Sequence, residues 1–235
     1  MNLARRILMA RRGMCYMPDC DPYWDDVVLL LKGDGPDGST NIIDSSVYGH
    51  PVTVHGNAQI STAQSVYPGG SSMYFDGSGD YLRIDSSRFE FGADDFTIEF
   101  WAMNGGSDYG GVIGTSVGYS NYIELSSRRG LFIKFTSADV SYSFNPNDNV
   151  WRYYTITRKN NLVRLFVLGE LKRSVNVAQN FTLSGGCFIG KYASYHFNGH
   201  IQDLRITQNR ALYTTNFTPP TAPLPDPDPY DYSLS

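Results

Sequence analysis

From Val27 onward the chain reads as short apolar runs divided by Gly, Asp, Asn and Ser. Val27–Leu31 is apolar throughout, the pattern of a strand covered on both faces. Phe96, Ile98 and Phe100 alternate with Thr97, Glu99 and Trp101, a period of two that sends the two sets to opposite sides of a strand. The clearest hairpin spans 151–168: Tyr154 and Ile156 alternate with Thr155 and Thr157, Lys159-Asn160-Asn161 supplies a turn, and an apolar segment runs back. Further strands are expected at 51–54, 58–60, 72–75, 81–84, 112–115, 122–125, 131–135, 187–190 and 200–207, with a turn cluster at 33–38. About a dozen short strands, Gly/Asn/Asp turns and no long amphipathic helix predict an all-β, antiparallel β-sandwich of two sheets. No fixed-period repeat emerges, which argues against a propeller or solenoid.

Composition sharpens this reading. Charged residues make up 18% of the 235, and Glu occurs only at positions 90, 99, 124 and 170, whereas Tyr (17) and Phe (13) favour strands. A hydrophobic fraction of 41% is enough for a core. No run approaches the roughly 18 apolar residues of a spanning helix. Charge is unevenly placed: Arg5, Arg6, Arg11 and Arg12 precede the first acid, Asp19. Without them 15 basic residues face 23 acidic ones, so the net −4 combines a basic arm with a body of −8. The apolar stretch 7–10 is too short for a secretory leader, which needs roughly 7–15 residues. A short membrane-surface helix and a frayed tail remain open readings of this segment. At the other end, five of the residues 219–227 are Pro, which predicts an extended conformation. The expected organisation is a docking arm over 1–24, a sandwich over 25–217 and a Pro/Asp-rich arm over 218–235. Cys15, Cys20 and Cys187 are odd in number and lack zinc-site spacing, so free thiols are expected, Cys187 as a small buried hydrophobe.

Four segments carry a family likeness. Residues 73–82, MYFDGSGDYL, and 95–101, DFTIEFW, resemble strands of concanavalin A-like, laminin-G-like jelly-roll domains. The Trp151-led hairpin resembles that family's own, and 199–207 followed by 210–213 and 217–220 resembles its closing strand and exit. The opening, 29–35 and 38–46, looks like the version found in bacteriophage structural proteins. The resemblance implies a jelly roll carried on a capsid decoration, head fibre or tail fibre. Its implied partners are other virion subunits and further copies of itself as a homo-oligomer, and its implied place is the virion, after synthesis in the host cytoplasm. A carbohydrate-binding adhesin outside a virion is the alternative, and a glycan hydrolase a third reading.

Chemistry narrows these. Hydrolysis of a glycosidic bond needs two carboxylates about 5–10 Å apart on one substrate, and neither Glu99 nor Glu124 has a second acid at i+2 or i+4. The sequence 114–118, Gly-Thr-Ser-Val-Gly, formally fits a nucleophile elbow, but a strand pattern follows where a helix is required. The chain is therefore expected not to be an enzyme. A structural calcium is a possible cofactor, with Asp34, Asp37, Asp44, Asp76 and Asp80 as candidate ligands; the same residues are ordinary turn formers. Glycan contact falls on Asp108, Tyr109, Tyr119, Asn121, Tyr122, Tyr192, Tyr195 and His196, because tyrosine offers a stiff apolar face with a polar tip. The other reading of those tyrosines is that they pack against neighbouring subunits or cover sheet edges. Docking falls on Arg5, Arg6, Arg11, Arg12, Met14, Tyr16, Met17, Tyr23 and Trp24. Arg128, Arg129, Arg152 and Arg158 read as solvated positions rather than a nucleic-acid track, so no nucleic-acid partner is expected.

Overall fold

The computed structural model describes residues 24–106, 108–115 and 120–226. Within them, strands β1 (Val27–Leu31), β2 (Thr53–His55), β3 (Gln59–Ser61), β4 (Ser72–Asp76), β5 (Tyr81–Ile84), β6 (Phe96–Asn104), β7 (Gly111–Thr115), β8 (Tyr122–Ser126) and β9 (Gly130–Lys134) form in order. They are followed by β10 (Asp139–Tyr142), β11 (Arg152–Lys159), β12 (Leu162–Val167), β13 (Glu170–Asn176), β14 (Cys187–Ile189), β15 (Lys191–Tyr192), β16 (Tyr195–His196) and β17 (Asn198–Gln208). One sheet runs β13-β12-β11-β6-β17-β4-β3, with β1 also on β17; the other runs β10-β9-β8-β7-β14-β5-β2. All pairings are antiparallel, and the result is the expected jelly-roll sandwich. Among the described residues no helix is long and apolar enough to cross a membrane.

Period-2 residues from both sheets meet in the middle. Phe75, Phe96, Ile98, Phe100, Ile113 and Ile133 are fully buried in one cluster, joined by Cys187 as expected. The hairpin turn between β11 and β12 places Asn160 and Asn161 at φ 49° and 66°, the left-handed pair of a type I′ turn. Two strands carry no apolar pattern. Strand β13 is mostly exposed and charged, as suits an edge strand, and β10 buries only Val140.

The larger sheet is covered on its outer side too. Glu99, Thr97 and Tyr153 are buried there. The segment after β17 lies over them: Thr97 donates to the Arg210 carbonyl, Thr157 to the Tyr213 carbonyl, and the Phe217 ring packs on Tyr153 and Phe166. Further on, Leu224 is buried with Val27, Leu30 and Trp24, and Lys32 pairs with Asp226 at 2.6 Å. Arg158 corrects the sequence reading. It is fully buried and donates to the carbonyls of Gly92, Asp94 and Gln179, tying three loop positions together. Arg128, Arg129 and Arg152 are paired, with Asp108 at 3.9 Å, Glu124 at 3.6 Å and Asp148 at 2.5 Å; of the four, Arg128 is the most exposed.

Candidate functional site: an aromatic ridge

On β8, Ile123 and Leu125 face the core, so Tyr122, Glu124 and Ser126 face outward from the smaller sheet. The β15–β16 hairpin crosses this outer face directly over β7. It can approach only because Gly111 and Gly114 lack side chains: a Cβ on Gly111 would lie 2.4 Å from the Tyr192 nitrogen, and one on Gly114 would lie 2.6 Å from the Lys191 carbonyl. Cross-strand partners share a face, so Tyr192 and Tyr195 look to one side of the hairpin and Lys191 and His196 to the other.

On the first side the rings form a continuous set. Tyr122 and Tyr192 stack at 3.7 Å, Tyr192 meets Tyr195 at 5.2 Å, and Tyr195 meets Tyr109 at 4.8 Å. Glu124 anchors them from below, accepting from the Tyr192 hydroxyl at 2.9 Å and the Ser126 hydroxyl at 2.5 Å. Burial and adjacent Glu124 push the Tyr192 phenol far up, so it stays a donor. Arg128 lies over Tyr109 and donates to its hydroxyl at 3.0 Å, while Asp108 accepts from Ser127. On the second side Lys191 sits 4.2 Å from the centre of Tyr81, beside Phe188 and His55. Burial and Lys191 hold His196 below the usual imidazole range.

The structure thus brings Asp108, Tyr109, Tyr122, Tyr192, Tyr195 and His196 onto or beside one hairpin. Their roles differ from the sequence expectation. Tyr122 and Tyr192 are buried against each other and support the ridge, leaving Tyr109 and Tyr195 half-buried as the accessible rings. Asn121 begins the turn into β8 at φ 57°. Tyr119 lies outside the described residues, as do Ser116, Cys15, Cys20, Arg5, Arg6, Arg11, Arg12, Met14, Tyr16, Met17 and Tyr23. Trp24 packs on the chain's own Val27, Leu30 and Leu224.

The calcium candidates do not form a donor set. Asp44 accepts from the backbone of Leu30, Ser46 and His50 and from the Ser46 hydroxyl. Asp80 accepts from Asn57 and Asp76, Asp76 from Ser78, and Asp37 from Thr62. Asp34 lines a separate pocket. Among the described residues no group of three or more His, Cys, Asp or Glu is placed to hold a metal ion. Asp37, Asp44, Asp76 and Asp80 each accept a backbone N–H. Glu99 and Glu124 face outward from opposite sheets, so they cannot flank one sugar.

Sequence reading missed two features. The first is a line from Asp44 through His50 to Ser86, with Asp44 Oδ2 2.7 Å from Nδ1 and Ser86 Oγ 3.0 Å from Nε2. Ser86 also caps the short helix at Ser87–Phe89, so the line joins three loop segments. The second is a pocket of about 300 Å³ lined by Lys32, Asp34, Tyr67, Gln202 and Asp203. Strand β17 changes neighbour there, from β4 to β1, and Asp203 takes the left-handed conformation at φ 50° within the bulge. Its carboxylate accepts from Tyr67 and Leu224, yet burial raises it to about 6. The native state then holds this proton more tightly than the unfolded chain, so stability from this group is present below about pH 4 and is lost as pH rises through about 6. Asp203→Asn is expected to remove roughly 3 kcal/mol of that pH dependence, read as urea midpoints at pH 4 and 7.

Residues 76–215 match the model of the family described as Laminin_G_3, the concanavalin A-like lectin/glucanases superfamily. No curated protein sequence matches. Domain 4 of AbnA, a GH43 extracellular arabinanase from Geobacillus stearothermophilus, solved with arabinotriose, aligns at TM-score 0.59 and 15% identity over 78% of this chain and 92% of that one. The binding domain of botulinum neurotoxin serotype D aligns at TM-score 0.59 and 17% identity over 80% of this chain and 49% of that one. The botulinum neurotoxin DC binding domain, solved with SialylT, aligns at 0.57 and 18% over 78% and 48%. This chain spans about half the length of the toxin binding domains. The family match covers more than half of the sequence and includes β5 to β17 and the ridge: the chain belongs to the concanavalin A-like lectin/glucanase superfamily.

Proposed function

We propose that the chain is a non-catalytic, glycan-binding sandwich displayed on a bacteriophage virion, and that the ridge around Tyr109 and Tyr195 is the binding surface. The carrying observation is the ring set itself: two accessible tyrosines held in fixed positions by buried Tyr122, Tyr192 and Glu124. Flat rings stack on the C–H faces of sugars, and a rigid platform loses little entropy on binding. Asp108 and Arg128 stand beside the rings to meet hydroxyl groups. The arabinanase domain and toxin domain solved with sugars support the reading by analogy of fold. Separation of Glu99 and Glu124 onto opposite faces supports a binding role over hydrolysis. On a glycan array, the full chain should retain ligands that Tyr109→Ala and Tyr195→Ala each weaken at least about tenfold. Unchanged retention by both variants contradicts the site.

Attachment to the particle is the second half of the proposal, and it draws on the phage-like opening segment and the four arginines before Asp19. Docking of those arginines on an acidic neighbour is salt-sensitive. Deletion of 1–23, which keeps Trp24 in its cluster, should leave the melting temperature of the sandwich unchanged while the protein no longer joins its particle. Normal incorporation of the truncated chain contradicts it.

A further inference from the structure

We infer that the ridge selects acidic glycans, with Arg128 receiving a carboxylate or sulfate group of the sugar stacked on Tyr109 and Tyr195. The inference rests on the glycan-binding reading and adds the ligand's charge to it. Arg128 is the distinctive group. Its side chain is 58% exposed, and its Nη1 donates to the Tyr109 hydroxyl at 3.0 Å. Asp108 pairs with it at long range, its Oδ2 3.9 Å from Nη2 and beyond hydrogen-bond reach, while its Oδ1 accepts from the Ser127 hydroxyl at 3.0 Å. A guanidinium has five N–H donors in a planar fork that matches two oxygens of one anion. Here the fork is fixed by its contact with Tyr109, so an anion on a sugar over that ring finds it in place.

Arg129 flanks Tyr109 at 6.0 Å and Phe132 at 4.5 Å, and the carboxylate facing it, Glu124, is fully buried under the tyrosines. Lys191 adds a cation on the other side of the hairpin. On the ridge side Arg128 and Arg129 stand beside Asp108 and Glu124, and of these four only Arg128 and Asp108 are exposed. A chain of net −4 repels an acidic polymer in general, and the favourable contact available to it is the exposed guanidinium of Arg128 beside Tyr109.

The test uses the full chain on an array of matched pairs: sialylated and desialylated glycans, uronate glycans and their carboxyl-reduced forms, sulfated glycans and their desulfated forms. Retention of the acidic member of at least one pair should exceed its neutral counterpart about tenfold at 50 mM NaCl and fall at 500 mM. Arg128→Gln should abolish that preference, so that acidic and neutral members are retained alike, while thermal melting is unchanged. Which pair responds separates carboxylate from sulfate. Equal retention of acidic and neutral members overturns the charge selection and leaves glycan binding standing; retention of neither overturns both. A preference that survives Arg128→Gln overturns the assignment to that residue.

Discussion

Replacing Asp44 with Ala is expected to destabilise the sandwich by about 3–5 kcal/mol, the largest effect of any single polar substitution considered. Asp44 is 5% exposed, and its two oxygens accept from Leu30, Ser46 and His50 backbone nitrogens, the Ser46 hydroxyl and the His50 ring. Alanine leaves these donors buried without acceptors, and each orphan costs about 1–3 kcal/mol. The loss also frees His50 from its alignment with Ser86 and weakens the hold on β1, which carries the chain's N-terminal side of the fold. Asp37→Ala is the control: it removes an exposed carboxylate that accepts from Thr62 and should cost within about 1 kcal/mol. Urea midpoints of the two variants check the contrast, and equal losses count against it.

The second large effect is on binding. Gly114→Val should keep a folded sandwich yet reduce glycan retention to background. Gly114 has no positive φ, so its backbone accepts valine and strand β7 gains a β-branched residue. The new Cβ meets the Lys191 carbonyl and the Tyr192 Cβ at 2.6 Å each, which pushes the hairpin off the sheet. Overpacking of this kind costs about 1–3 kcal/mol of stability. The consequence for the rings is greater, because Tyr195 loses its place beside Tyr109 and Tyr192 its stack on Tyr122. A folded variant that binds normally contradicts the role of the hairpin.

Much of the architecture was legible because period-2 burial is a local property. The run Val27–Leu31, the alternation in β6 and the Asn-Asn turn each read directly from neighbouring residues. Strand β13 was not legible, since an exposed edge carries charge rather than alternation. The buried state of Arg158 was invisible for another reason: its partners are backbone carbonyls at 92, 94 and 179, which no side-chain pattern reports. The tyrosines of the ridge were identifiable as candidates from their loops, but their division into support and surface depends on a hairpin crossing a sheet. The glycines that permit that crossing look in sequence like ordinary strand residues. Asp203 carries no sequence signal because its bulge arises where β17 changes partner, a non-local event.

The central claim is that one ridge holds the glycan. It is tested most directly by an NMR titration of the isotopically labelled full chain with a glycan retained on the array. Shifts should cluster at Tyr109, Arg128, Tyr192 and Tyr195 and saturate together at one affinity. Shifts centred instead on Lys32, Asp34 and Asp203, or on the segment over the larger sheet, would contradict it.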